Sequence, residues 1–117
     1  MERTTIYHNP ACSHSRGALQ LLQERGDDFE LIEYLKMPPT REALERIIGM
    51  LEGTPVADLV RKDKRFTELG LNEHDYVTVE AVVNLLLAHP ELMQRPIIIR
   101  GGRAVIARPA DKLNALF

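Results

Sequence analysis

The chain has a single cysteine in 117 residues, Cys12. One thiol excludes an internal disulfide framework, a cysteine-based zinc cage and a Cys-x-x-Cys pair within one chain. Two readings remain: an inert core residue, or a reactive thiol that needs a partner from outside. Tryptophan is absent and only three Phe and three Tyr occur, so the core has to be aliphatic. At this length such a core suffices for one domain, residues 1–117. The longest apolar runs, Leu85–Leu87 and Ile97–Ile99, are far too short to span a bilayer. The opening residues Met1-Glu2-Arg3-Thr4-Thr5 lack the apolar stretch of a signal peptide. The expectation is a cytoplasmic protein with no membrane partner. A net charge of −2 supplies no positive field for nucleic acid, so any anion has to be met by a local arginine cluster. The four histidines, His8, His14, His74 and His89, show no metal-ligand spacing, and neither a metal nor a bound cofactor is expected.

What is present reads in order as strand, helix, strand. Thr4–Tyr7 is β-branched and aromatic, suiting a strand, and His8-Asn9-Pro10-Ala11 reads as a loop. From Ser13 to Arg25 the positions of Ala18, Leu21 and Leu22 predict an amphipathic helix closed by Gly26. Phe29–Leu35 predicts a second strand. Pro38-Pro39-Thr40 ends it and caps a helix whose Leu44, Ile47, Ile48 and Leu51 form one stripe. Thr54-Pro55 predicts a short helix reaching Arg61 or Lys62, with another turn over Lys64–Leu69. Thr78 caps a helix ending near His89-Pro90. Two final strands, Ile97–Arg100 and Arg103–Ile106, flank Gly101-Gly102, the two-residue loop of a tight hairpin. Pro109 opens a last helix carrying Leu113, Leu116 and Phe117. This order predicts an α/β, thioredoxin-like fold: βαβ and ββα halves around a four-stranded mixed sheet, with a helical insertion at about 40–90.

Cys12 falls where the proline-containing loop meets the first helix. The first N–H groups of a helix have no internal partner and carry partial positive charge, so a thiolate there is stabilised. A free cysteine more often packs as a small hydrophobe. Ser13, His14, Ser15 and Arg16 are not core company, which favours the reactive reading.

The run Tyr7-His8-Asn9-Pro10-Ala11-Cys12-Ser13-His14-Ser15-Arg16 closely resembles the active-site loop of the glutaredoxin-coupled arsenate reductases, the ArsC type with a thioredoxin-like fold. The likeness continues through Leu35 and Pro38-Pro39. It returns at Leu59–Lys62, at His89-Pro90 through Ile97, and at Ala107-Arg108-Pro109. The resemblance implies that Cys12 is the nucleophile attacking arsenic, and that His8 and Ser15 favour its thiolate. It implies that Arg61, Arg95 and Arg108 bind the oxyanion and that Pro96 is a cis-proline at the mouth of the site. It also implies glutathione as co-substrate and glutaredoxin as the partner that removes the mixed disulfide. The short ending after Arg108-Pro109 resembles a subgroup of arsenate reductase-like proteins. His14 departs from the threonine or lysine usual in the family and is given no role.

These roles agree with elementary chemistry. A multiply charged tetrahedral anion attacked by a thiolate needs its charge neutralised, and guanidinium forks match oxyanion geometry. Each arginine also has a plainer reading. Arg61 lies in the charge run Arg61–Arg65, ordinarily a solvated face; Arg95 could close a loop; Arg108 could sit on the surface at a helix start. A cation is unfavourable beside that dipole, which hints at an anion nearby. Arg16 is assigned to helix solvation or an ion pair, and His74 and His89 to a loop and a helix end. Two further functions fit the same fold: an Spx-like transcriptional regulator binding RNA polymerase, and a thiol reductase of a substrate other than arsenate.

Overall fold

The computed structural model describes residues 3–26, 28–51 and 53–117. Strand β1 (Thr4–His8) lies centrally, parallel to β2 (Phe29–Glu33) and antiparallel to β3 (Ile97–Arg100), which pairs antiparallel with β4 (Arg103–Ile106). The sheet order is β2-β1-β3-β4. Helix α1 (Ser13–Arg25) joins β1 to β2. Between β2 and β3 come α2 (Arg41–Met50), a 3₁₀ turn (Val56–Leu59), α3 (Lys64–Glu68), a 3₁₀ turn (Glu73–Asp75), α4 (Val79–Ala88) and a 3₁₀ turn (Pro90–Leu92). A 3₁₀ helix (Ala110–Leu116) follows β4. The mixed sheet, with helices on both faces, has the expected thioredoxin-like architecture.

Alternation along the strands divides the core in two, because successive side chains of a strand point to opposite faces. Ile6 and Ile98 meet Ala18 and Leu22 of α1 and Leu113 and Leu116 of the last helix. Tyr7 and Ile97 turn the other way, onto Leu44, Ile47, Val82, Val83 and Leu86 of α2 and α4. The helix ends follow their sequence signals. Thr40, Asp63 and Thr78 accept from the third residue onward at the starts of α2, α3 and α4, and Gly26 closes α1 in the left-handed conformation at φ 75°.

Four local expectations are corrected. His8 belongs to β1, paired with Glu33, because parallel pairing with β2 carries the ladder one residue further. Strand β2 ends at Glu33 rather than Leu35; the Glu33 carbonyl accepts from Lys36 and Met37 at 2.9 Å, which turns the chain. Thr54-Pro55 does not start a helix reaching Arg61. Pro55 precedes one 3₁₀ turn, and Val60 then bridges Met93, with the Arg61 N–H donating to the Leu92 carbonyl at 2.7 Å. Backbone partners across that bridge replace those a longer helix would supply. Pro109 is extended and stands before the last helix, which is 3₁₀ throughout. Phe117 lies outside that helix, with the guanidinium carbons of Arg25 and Arg100 at 3.7 and 4.4 Å from its ring centroid.

Ile98 is fully buried, so Ile98→Ala is expected to cost about 2–5 kcal/mol, read as a lower urea midpoint at unchanged slope. Leu31→Ala, at a residue 40% exposed on an edge strand, is expected to cost less than about 1 kcal/mol. Equal losses would show that the two sites pack alike.

Candidate active site

Cys12 is the N-cap of α1, with extended backbone at φ −97° and ψ 125°, and its carbonyl accepts the first helical bond from Arg16 at 3.0 Å. The loop before it is short and pinned. The Asn9 side-chain oxygen accepts from the Ala11 N–H at 3.0 Å, and the Asn9 carbonyl accepts from the Cys12 N–H at 3.0 Å. An Asx turn therefore fixes where the strand hands over to the helix.

His8 and Ser15 hold the same junction from inside. His8 Nδ1 and Ser15 Oγ share a hydrogen bond of 3.0 Å, and the same hydroxyl accepts from the Asn9 N–H at 2.9 Å. Both side chains are buried. Burial holds the His8 imidazole below its ordinary pKa; the Glu33 carboxylate and the Ser15 contact work the other way, and Arg16 adds to burial. Burial thus favours the neutral His8 imidazole, whose hydrogen bond goes to Ser15 rather than to the sulfur.

At Cys12 itself two effects compete. Burial pushes the thiol pKa up, and it is the largest single influence. The N–H groups of Ser15 and His14, with the side-chain donor and charge of Arg95, together outweigh it, so the thiol lies below its ordinary value. Arg108 arrives from the other end of the chain, its Nη1 lying 3.8 Å from Sγ. The same nitrogen donates to the Arg95 carbonyl at 2.9 Å, which holds the two arginine segments together. The Arg95–Pro96 and Arg108–Pro109 peptide bonds are both cis. Arg95 Nη1 donates to the Glu91 carbonyl at 3.1 Å, while its buried Nε makes no hydrogen bond among the described residues.

Arg61 is placed differently. Its Nε donates to Asp63 at 3.1 Å, and its side chain is only 20% exposed, so it does not sit on a solvated face. Asp63 also accepts from the Phe66 N–H at the start of α3. Burial raises the Asp63 pKa, but Phe66 and Arg61 bring it below the ordinary carboxylate value. The structure thus brings Cys12, Ser15, His8, Arg95 and Arg108 together, while Arg61 is near enough to Tyr34 to act on it electrostatically. Arg16 donates to the Pro10 carbonyl at 3.0 Å, His14 and His74 are exposed, and His89 Nδ1 lies 3.4 Å from Glu91.

Two features are absent from the sequence reading. Tyr34 is fully buried among these groups, and only its place just past β2 signals this. Beside Arg108 an open groove of about 480 Å³ is lined by Thr54, Asp58, Lys62, Gln94 and Lys112. Among the described residues no group of three or more His, Cys, Asp or Glu is placed to hold a metal, and no helix is long and apolar enough to cross a membrane.

Topology and thiol placement define a thioredoxin-like protein with one cysteine at the cap of its first helix. The chain belongs to the ArsC family, whose sequence model matches residues 7–116. A Neisseria meningitidis relative named arsenate reductase is 37% identical over 99% of both chains. An Escherichia coli K12 relative of the same name is 38% identical over 95% of this chain and 78% of its own. The solved structure of an arsenate reductase from Vibrio cholerae superposes with a TM-score of 0.88 at 33% identity, covering 98% of each chain.

The lowered thiol pKa predicts a pH profile. Only the thiolate is alkylated, so the iodoacetamide rate at Cys12 should rise with pH and level off below the range of an ordinary thiol. Arg95→Gln removes a stabilising cation and should move that midpoint upward. An unmoved midpoint would show that the helix N–H groups act alone.

Proposed function

We propose that the chain is a thiol-dependent reductase converting arsenate to arsenite, with the whole of residues 1–117 serving as one domain around Cys12. The observation that carries this reading is the approach of Arg108 to within 3.8 Å of a sulfur whose ionised form is favoured. The names of the close relatives support the substrate.

The chemistry follows from charge and electron count. The Cys12 thiolate attacks arsenic, and one arsenate oxygen leaves as water after taking up protons. Arg95 and Arg108, together with Arg61, neutralise the oxyanion as the sulfur approaches. Ser15 and His8 position the loop rather than supply charge, since burial favours the neutral imidazole. Pro96 fixes the backbone beside Arg95. Reduction of As(V) to As(III) takes two electrons, the number released when two thiols join as a disulfide. The chain has one thiol, so the second comes from outside. Glutathione fills that role, and glutaredoxin then removes the mixed disulfide. The groove beside Arg108, with Lys62 and Lys112 on its walls, suits a small acidic thiol. The cytosol is the compartment where such thiols stay reduced.

The test is NADPH consumption with glutathione, glutaredoxin and a recycling reductase, with and without arsenate. Arsenate-dependent turnover is expected for the parent and none for Cys12→Ser. Arg95→Ala or Arg108→Ala should lower the rate by about 10²–10³-fold. Turnover surviving in Cys12→Ser would refute the mechanism.

A further inference from the structure

The Tyr34 side chain is fully buried, yet its hydroxyl makes no hydrogen bond of normal geometry among the described residues. Buried hydroxyls are nearly always paired, so an unpaired one needs an explanation. Tyr34 directly follows Glu33, which pairs with His8 in the parallel register of β1 and β2. The residue after His8 is Asn9, so the register brings Tyr34 to the same sheet end from which the cysteine loop departs. The groups acting electrostatically on Tyr34 agree with that placement. Burial raises its pKa most; the Arg95 charge and a weak, off-geometry hydrogen bond from the Asn9 side chain lower it, the Cys12 sulfur raises it and the Arg61 charge lowers it. A donor on the phenol oxygen leaves the phenol proton without an acceptor. The balance keeps the phenol protonated, and therefore a donor, throughout the neutral range.

A second unpaired donor lies in the same cluster. Arg95 Nε is buried without a hydrogen bond, although Nη1 of the same guanidinium is used on Glu91. The phenol proton and Arg95 Nε are thus two buried donors without an acceptor of normal geometry, and a tetrahedral oxyanion brings several.

We propose that Tyr34 is a further catalytic residue, its hydroxyl donating a hydrogen bond to an oxygen of the anion held between Cys12 and Arg95. This rests on the reductase reading above and adds a substrate contact to it. No bond to carbon or sulfur forms or breaks at Tyr34; the phenol keeps its proton and supplies a dipole. As a neutral donor, it holds one oxygen without competing with the thiolate for cationic charge.

Tyr34→Phe separates this role from a structural one. Removing a hydroxyl whose one contact is the weak approach of Asn9 leaves packing intact, so the melting temperature without anion should stay close to that of the parent. Protection of Cys12 from iodoacetamide by arsenate should weaken, the half-protecting concentration rising about tenfold to a hundredfold, as for loss of a hydrogen bond to a charged group. kcat/KM for arsenate should fall by a similar factor. A melting temperature lowered by several degrees would show that the hydroxyl already has a structural partner and would overturn the proposal. Equal protection of parent and variant would also overturn it while leaving the reductase reading in place. Arsenate failing to protect the parent at all would overturn both.

Discussion

The site depends on one conflict resolved in favour of charge. Cys12 is partly buried, and burial alone favours a neutral thiol. Backbone N–H groups at the start of α1 and the Arg95 guanidinium reverse that preference. Neither contribution requires a second cysteine, so the thiolate is prepared by geometry. The N–H groups come with the helix itself, and the remaining cation has to be delivered by tertiary structure.

That delivery explains why the fold joins its two halves as it does. Cys12 and Arg108 are 96 positions apart, yet antiparallel pairing of β1 with β3, and of β3 with β4, returns the chain to the loop before α1. The Arg108 bond to the Arg95 carbonyl ties the segment entering β3 to the one leaving β4. The intervening helices bury their own apolar stripes against one face of the sheet, while α1 and the last helix cover the other. The edge that carries Cys12 is thus set by strand register, with a separate core on each side.

Much of this was legible in the residues. Thr40, Thr78, Gly26 and Gly101-Gly102 are local signals acting within a few positions, and the elements they bound lie where expected. The placement of Cys12 at a helix cap was legible for the same reason. Signals that compete with distant partners were harder to read. Thr54-Pro55 carries good helix-start chemistry, but Val60 finds Met93 across the fold, and a local rule cannot know that. Arg61 looked like part of a solvated run because Asp63, two residues on, gives no hint that it faces inward. The downward shift of the His8 pKa comes from burial, which spacing does not encode. Tyr34 was invisible as a site residue: in sequence it is simply an aromatic near the end of a strand.

Asp63 uses one carboxylate for two tasks, receiving the Phe66 N–H that starts α3 and the Arg61 side chain. A helix of five residues has little cooperativity of its own, so its integrity rests heavily on that cap. Fraying of α3 and swivelling of Arg61 are consequently linked equilibria: whatever draws the guanidinium away loosens the first turn, and whatever unwinds the turn releases the guanidinium.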